Sequence, residues 1–163
     1  MPDPKINLVL RLARQEDAGL LLQWRNDADT RHNSFHSQPI AWSDHLRWLR
    51  ETLEDKETDL YIAERNGLPV GTVKVQRTGN STELSWTVSP EQRGKGIGKQ
   101  MVRQLARQIS GTLVARIKPA NNASVAIAKY IGMRRSVSSD GMLLFIRGQD
   151  ESRSGENNGH EQS

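Results

Sequence analysis

The chain of 163 residues has the length of a single domain, with 35% hydrophobic and 26% charged residues and a formal net charge of +4. It contains no cysteine, which excludes a disulfide scaffold, a thiolate metal site and a cysteine nucleophile, and we predict no metal site of another kind. The positive charge would suit nucleic acid, an anionic membrane or a polyanionic cofactor. Because the excess is small and partly local to one glycine-rich stretch, the cofactor is favoured.

The ends of the chain contain no apolar segment of the kind that targets or anchors a protein. No apolar run approaches the roughly 18 residues of a membrane span, and Asn7 and Arg11 interrupt the short apolar segment near the N-terminus. We therefore expect a protein of the reducing cytoplasm. Residues 1–148 are predicted to form one domain, and the polar residues 149–163, rich in Glu, Ser, Gly and Asn, a disordered tail.

The first third of the chain reads as a strand followed by two helices. Residues 7–14 alternate between apolar and polar and predict a strand. A helix is predicted to open at Glu16, where acidic residues suit the helix dipole. Residues 27–39 break the pattern and predict a long polar loop, which in a compact domain is often functional. Ser43 is a predicted N-cap for a second helix that should end near Asp55.

The middle of the chain predicts an antiparallel meander of three strands. Asn66-Gly67 is the strongest hairpin signal and lies between the β-rich runs 60–64 and 70–76. A further alternating run over residues 82–88 follows a second turn. Glu83 lies on the more polar face of this last strand.

The segment from Ser89 to Lys99, which we call the glycine loop, reads Ser-Pro-Glu-Gln-Arg-Gly-Lys-Gly-Ile-Gly-Lys and joins the last of these strands to a helix. Without Cβ atoms its backbone can curl round a phosphate, with free amides and the helix dipole facing the ligand. Two better-known phosphate loops are excluded. A P-loop fails because Arg93 and Gln100 occupy its first glycine and its hydroxyl position, and the dinucleotide fingerprint fails because Gly-x-Gly is not followed by glycine three residues on.

The C-terminal part predicts a parallel crossover and a closing hairpin. After the glycine loop we predict a helix over residues 97–109, a strand over 112–117, a helix over 121–131 and a hairpin of strands 134–138 and 142–147. Because a helix separates the strand over 112–117 from the strand before the loop, these two should be parallel. The expected fold is α/β (α+β), with a mostly antiparallel sheet of about seven strands and about four helices.

The order of these elements and motifs resembles a known family. A strand, Arg-x-x-Gly-x-Gly, a helix, a strand and then Asn-x-x-Ser opening a helix that ends in Gly-Met are similar to the GCN5-related N-acetyltransferases (GNAT). The resemblance covers roughly residues 7–147. It implies that acetyl-coenzyme A is the cofactor, that the glycine loop binds its pyrophosphate, and that the parallel strands splay apart to admit the pantetheine arm.

The resemblance also implies cofactor-binding residues. The strand before the loop would supply main-chain partners, the loop would supply phosphate amides, and an asparagine would contact the pantetheine. These residues are Trp86, Thr87, Val88, Gln92, Arg93, Gly94, Lys95, Gly96, Ile97, Gly98, Lys99 and Asn121. Side chains of Arg93, Lys95 and Lys99 would add charge-assisted contacts to phosphate.

Acetyl transfer to an amine requires a neutral amine, a polarised carbonyl and a proton for the leaving thiolate. The absence of cysteine fits direct attack without an acetyl-enzyme intermediate. Glu83 is the candidate base, at a position where many members of the family place a glutamate, and an exposed strand carboxylate is the structural alternative. His36 and His45 are further candidates for the base that would contact substrate, and a surface or packing role is the structural alternative for each.

The general acid is where the chain departs from the commonest pattern of the family. Many members carry a tyrosine four residues before the closing glycine, and that position here is Ala128. Tyr130 is two residues further along the helix, a rotation of about 200°, and should point elsewhere. Ser124 is the nearest hydroxyl that the resemblance supplies, and water is the alternative proton donor.

Acceptor specificity in this family resides in the first two helices and the loop between them. The candidate acceptor contacts there are Arg25, Arg31, His45 and Trp48. The pattern resembles the subgroup that acetylates nucleotide-linked amino sugars of the pseudaminic acid pathway, and a UDP-amino sugar would suit cations against phosphate and tryptophan against a ring. Core packing of Trp48 and an interhelical ion pair for Arg25 are the structural alternatives.

Other functions stay open at this point. The missing tyrosine also resembles the subgroup that acetylates protein N-termini, including ribosomal ones, and other small amines are a third class of acceptor. A catalytically silent coenzyme-A binder and a basic nucleic-acid-binding module are alternatives of another kind, although the aromatic residues are few and the densest cations lie on the glycine loop. We expect a monomer or homodimer without nucleic-acid or membrane partners.

Overall fold

The computed structural model describes residues 7–136 and 140–148, which form one seven-stranded sheet with helices on both faces. The strands are β1 Val9–Leu12, β2 Thr58–Arg65, β3 Leu68–Thr78, β4 Ser81–Val88, β5 Thr112–Ile117, β6 Arg134–Ser136 and β7 Leu143–Arg147. The helices are α1 Ala18–Asn26, α2 Ala28–His32, α3 Trp42–Glu54, α4 Ile97–Ala106 and α5 Asn122–Tyr130. The predicted tail over residues 149–163 and the last two residues of the predicted strand 134–138 lie outside the described residues.

The sheet has the order β1-β2-β3-β4-β5-β7-β6, and every neighbouring pair except β4 and β5 is antiparallel. This confirms the predicted fold class. The hairpin between β2 and β3 turns at Asn66 and Gly67, whose φ angles of 53° and 78° are those of the mirror-image turn that matches the twist of the strands.

Two apolar clusters lie on opposite faces of the sheet. One joins the sheet to α4 and α5 and includes Val73, Met101 and Phe145, all 0% exposed. The other joins it to α1 and α3 and includes Trp24 and Leu49. Trp24 is only 3% exposed, so it is a core residue.

The segment over residues 27–54 differs from the sequence-based expectation in two local features. The segment predicted as a loop over residues 27–39 contains the short helix α2, whose N-terminus is capped by the Asp27 carboxylate accepting from Thr30 N at 3.2 Å. Helix α3 begins at Trp42 with Ala41 at the N-cap, so Ser43 lies inside the first turn and is not the predicted cap. Helix α4 also ends at Ala106, three residues before the predicted end.

The parallel strands β4 and β5 diverge after a short paired segment. They pair only from Ser81 with Thr112 to Glu83 with Val114, while β4 remains paired with β3 as far as Val88. The β5-facing main chain of β4 beyond Glu83 is therefore left without a strand partner. This is the predicted splay, and it opens a cleft between the sheet, α4 and α5.

Candidate active site

A groove of about 580 Å³, which we call the loop groove, runs from this cleft along the glycine loop. It brings together most of the residues expected to bind cofactor, although they come from β4, the loop and the start of α5. The expected residues that line it are Trp86, Thr87, Val88, Gln92, Arg93, Gly94, Gly96, Ile97, Gly98, Lys99, Asn121 and Ser124. Lys95 is outside the lining, with its Nζ 3.5 Å from Gln92 Oε1.

The glycine loop has the backbone geometry of an anion cradle. Gly96, the N-cap of α4, has a φ of 78°, a conformation that side chains with a Cβ rarely adopt. At Gly98 a Cβ would lie 2.7 Å from Ile127 Cδ1, so the missing side chain allows α4 to pack closely against α5. The first amides of α4 receive no side-chain cap and can donate to a phosphate. The loop therefore fits the diphosphate of acetyl-coenzyme A.

The three loop cations are placed differently from one another. The Arg93 guanidinium donates to Asp27 at 2.9 Å, to Asp29 at 3.3 Å and to Thr30 Oγ1 at 3.0 Å, so it ties the loop to α2 instead of being free for phosphate. Burial alone would raise the pKa of Asp27, but hydrogen bonds from Arg93 and Thr30 outweigh it and lower that pKa. Lys99 lines the loop groove and forms no ion pair with a carboxylate within residues 7–136 and 140–148.

Ser124 is held at the inner end of the loop groove by two hydrogen bonds from different elements. Asn121 caps α5, with its Oδ1 accepting from Ser124 N at 3.2 Å. Trp86 Nε1 on β4 donates to Ser124 Oγ at 3.2 Å. An indole N–H can only donate, so the serine oxygen is the acceptor and its own proton is available for another group.

A second cavity of about 500 Å³, which we call the cationic cavity, adjoins the loop groove on the α1 and α3 side of the sheet. The two share residues from α2, β4 and α5. The shared lining residues are Thr30, Asn33, Ser34, Trp86, Thr87, Asn121 and Ser124. A ligand in one cavity therefore meets a ligand in the other beside Ser124.

The cationic cavity is lined by Arg25, Lys74 and Arg116, and none of its described lining residues carries a carboxylate. Lys74 and Arg116 were not predicted from the sequence. The signal for Lys74 was the alternation in β3, where Thr72 and Lys74 interrupt an otherwise apolar run and face away from the core residues Val73 and Val75. Arg116 alternates in the same way on β5.

Arg25 is held in the cavity by a histidine and a tryptophan. His45 is 0% exposed, its Nε2 lies 2.8 Å from Ala18 O, and its Nδ1 lies 3.1 Å from Arg25 Nη1. The Arg25 guanidinium carbon lies 4.2 Å from the centre of the Trp48 ring. Burial lowers the pKa of Arg25 and also, together with the charge of Arg25, that of His45. Arg25 and Trp48, two of the candidate acceptor contacts, line the cavity, whereas His45 lies behind them.

Two predicted residues lie next to the cavity and do not line it. Glu83 on β4 pairs with Gln76 on β3, and its side chain is on the same face of the sheet as Ser85. The Glu83 carboxylate is 3.8 Å from Arg116 Nε. Arg31 instead donates to the main-chain oxygens of Asn26 at 3.1 Å and Ser37 at 3.3 Å. Its contacts hold the segment after α2 in place.

The α5 residues near the missing tyrosine position are arranged as the helix geometry predicted. Ala128 is fully buried against the sheet, whereas Tyr130 is 42% exposed and accepts a hydrogen bond from Arg103 Nη1 at 2.8 Å. Tyr130 therefore lies on the surface, outside the lining of both cavities. His36 does line the cationic cavity.

Residues 7–136 and 140–148 contain no group of three or more His, Cys, Asp or Glu side chains that could hold a metal ion. No helix in this part of the chain has the length and apolar character needed to cross a membrane.

The comparisons with known proteins agree with this geometry. Among solved structures, a domain from Methanocaldococcus jannaschii superposes with a TM-score of 0.78 at 18% identity, over 87% of this chain and 98% of that chain. The aminoglycoside acetyltransferase AAC(6')-Ib with paromomycin and acetyl-CoA gives 0.77 at 19% identity over 93% and 99%. A ribosomal-protein-alanine N-acetyltransferase from Brucella melitensis gives 0.70 at 24% identity over 86% and 99%. These likenesses show the fold.

The comparison with curated proteins gave no match. The family profile described as "Acetyltransferase (GNAT) domain" matches residues 7–134, which is most of the chain and includes the glycine loop, the lining of the loop groove and the lining of the cationic cavity except Met142. The chain therefore belongs to the GNAT family and is an acetyl-CoA-dependent N-acetyltransferase.

Proposed function

We propose that this N-acetyltransferase acetylates the primary amino group of a nucleotide-linked amino sugar by direct attack. The observation that carries the proposal is the junction at Ser124, where the loop groove meets a cavity lined by cations and by no described carboxylate. A sugar nucleotide has a diphosphate to match those cations and rings to match Trp48. The subgroup of the pseudaminic acid pathway, which the α1 to α3 region resembles, uses acceptors of this class.

The cofactor contacts follow from the placement of the backbone. The amides of the glycine loop and of the first turn of α4 would hold the diphosphate, and the unpaired main chain of residues 86–88 would hold the pantetheine arm beside Asn121. When bound, acetyl-CoA supplies an acetyl thioester, whose C–S bond breaks as the C–N bond to the amine forms. These contacts direct the thioester toward the junction with the cationic cavity, so that no acetylated side chain is needed.

Glu83 is the proposed base that removes the proton from the attacking amine. Its carboxylate lies at the edge of the cavity wall, near Ser85 and paired with Arg116. Because Glu83 is not itself part of the lining, we propose that the proton reaches it through water. The pairing with Arg116 keeps this carboxylate turned toward the cavity side of the sheet.

Ser124 is the proposed proton donor to the leaving thiolate. Its oxygen accepts from the Trp86 indole, and polarisation along such a chain strengthens the hydrogen bond that the serine proton can give. Ser124 lines both cavities, which is where the thiolate would form. A thiolate is a good leaving group, so a hydrogen bond from the Ser124 hydroxyl to the departing sulfur is sufficient, and water replaces the proton that the serine gives up.

A protein α-amine is the second candidate acceptor. The observation that favours it is Ala128, because the subgroup that acetylates protein N-termini also resembles this chain in lacking the tyrosine. The exposed Phe35 at the rim of the cavity would give an incoming peptide an apolar contact. An acidic N-terminal segment would match the cations, and a basic segment would not.

Thiol release from acetyl-CoA tests the proposal across UDP-linked 4-amino sugars, acidic and basic N-terminal peptides, aminoglycosides and polyamines. The chain has no cysteine, so it gives no thiol background. We expect the highest kcat/KM with a UDP-linked amino sugar. Higher turnover with a peptide would favour the second candidate, and tight cofactor binding without turnover of any acceptor would identify a silent coenzyme-A binder.

A further inference from the structure

The partner of Arg25 in the cationic cavity is a neutral side chain. The Ala18 carbonyl can only accept, so His45 Nε2 carries the ring proton and His45 Nδ1 accepts from the Arg25 guanidinium. A carboxylate in the place of His45 would orient Arg25 and cancel its charge. The histidine orients the guanidinium and leaves its full positive charge facing the cavity.

One edge of the Arg25 guanidinium is left available by these contacts. Nη1 is used by His45, and one planar face is stacked on Trp48 at 4.2 Å. Nε and Nη2 form no hydrogen bond or ion pair with any residue that the structure describes, and they share one edge of the plane. Two parallel N–H groups on one edge match the two oxygens of a carboxylate or phosphate.

Because the cavity is lined by cations, an anionic ligand is the expected partner of this edge of the Arg25 guanidinium. Arg25 is partly buried, Lys74 lines the same cavity without an ion pair among the described residues, and Arg116 is paired only with Glu83 at 3.8 Å. Placing a cation in a partly buried site is costly unless an opposite charge compensates it. An anionic ligand lowers that cost, whereas a polycationic amine raises it.

We propose that Arg25, held by His45 and Trp48, is an oxyanion receptor that binds a phosphate or carboxylate group of the acceptor through its Nε–Nη2 edge. The proposal deepens the proposed function, on which it rests for the identity of the ligand as the acetyl acceptor. It also assigns specificity: acceptors that carry an oxyanion are selected, and polycationic amines such as aminoglycosides are rejected.

Calorimetric binding to the protein saturated with coenzyme A tests the receptor apart from catalysis, because the cofactor then fills the other phosphate site. UDP serves as the phosphate probe and succinate as the carboxylate probe. We expect Arg25→Met to weaken binding of the preferred probe about 10- to 100-fold, the effect of losing a charge-assisted pair. Arg25→Lys keeps the charge without the two-pronged edge and should give an intermediate loss. Arg50→Met, on the exposed side of α3, is the matched control and should bind like wild type.

The two probes distinguish the two kinds of acceptor. UDP binding that depends on Arg25 supports a phosphate-bearing acceptor, and succinate binding with the same dependence supports a carboxylate-bearing one. Equal affinities of wild type, Arg25→Lys and Arg25→Met for both probes, or no binding of either probe to wild type, would overturn the receptor. Failure to acetylate any amine would instead count against the proposed function, since Arg25-dependent UDP binding is measured without turnover.

Discussion

The loop groove and the cationic cavity adjoin each other but are built in different ways. The groove is lined by three short segments, residues 29–34, 86–99 and 121–127, and the contacts proposed for its ligand are mostly with main-chain amides. The cavity collects side chains from α1, α2, α3 and four strands, so its chemistry depends on contacts between residues far apart in the chain. Cofactor recognition is therefore a local property of the sequence, and acceptor recognition is a property of the assembled fold.

The largest effect on kcat is expected at Glu83, at the edge of the cationic cavity. Glu83→Gln should lower kcat by about 100-fold at low pH, where the amine is charged and most needs a base, and by less at high pH. The affinity for acetyl-CoA should not change, because Glu83 lies outside the loop groove. Rates measured across pH, with the exposed Glu57→Gln as control, check this. A loss that is the same at every pH would remove Glu83 from the role of base.

The junction of the two cavities should give the next largest effect. Ser124→Ala should lower kcat about tenfold, the cost of one hydrogen bond to a developing charge. If Trp86 acts through Ser124, Trp86→Phe should lower kcat by less, and the double variant should match Ser124→Ala. Tyr130→Phe is the control on the same helix and should change kcat less than about twofold, because its hydroxyl accepts a hydrogen bond from Arg103 on the surface, outside both cavities. A tenfold loss in Tyr130→Phe would instead identify Tyr130 as the acid.

The contact of Arg93 with α2 links the two regions and should contribute to stability. Asp27→Ala removes both the N-cap of α2 and the closer carboxylate partner of Arg93, so we expect a loss of about 1–2 kcal/mol in the free energy of unfolding. Asp29 is 82% exposed and more distant, so Asp29→Ala should cost less than about 0.5 kcal/mol. Urea denaturation measures both values. Equal losses would show that the cap and the Arg93 contact do not explain the stability of α2.

Sequence reasoning succeeded where geometry is local and failed where it is not. The glycine loop and the Asn66-Gly67 hairpin follow from residue types whose backbone preferences are strong, whereas the splay of the parallel strands was expected from the family resemblance. By contrast, the contact of Arg93 with Asp27 joins residues 66 positions apart, and no periodicity indicates it. The cationic lining contributed by Lys74 and Arg116 needs the sheet order, which alternation within one strand does not supply. The neutral partner of Arg25 likewise required the packing of α1 against α3.

The smallest effect is expected from the buried histidine behind the cavity. Because burial lowers the pKa of His45, the folded protein binds fewer protons at this ring than the unfolded chain does, so stability falls as the pH drops below about 6.5. Above that pH the ring is neutral in both the folded and the unfolded state, so this effect on stability disappears. His45→Gln should flatten the pH dependence of the free energy of unfolding, and His36→Gln, at an exposed histidine, serves as the comparison. A wild-type profile that rises toward acid pH would contradict the neutral state of His45.

The most direct test of the account is an initial-rate matrix of acetyl-CoA against the amine acceptor that gives the highest kcat/KM. The loop groove and the cationic cavity share their wall at Ser124, so both ligands should be bound when the acetyl group moves. The account predicts double-reciprocal lines that intersect, with wild type and Arg25→Met differing in the acceptor KM and not in the KM for acetyl-CoA. Parallel lines, which indicate an acetylated enzyme, would contradict it.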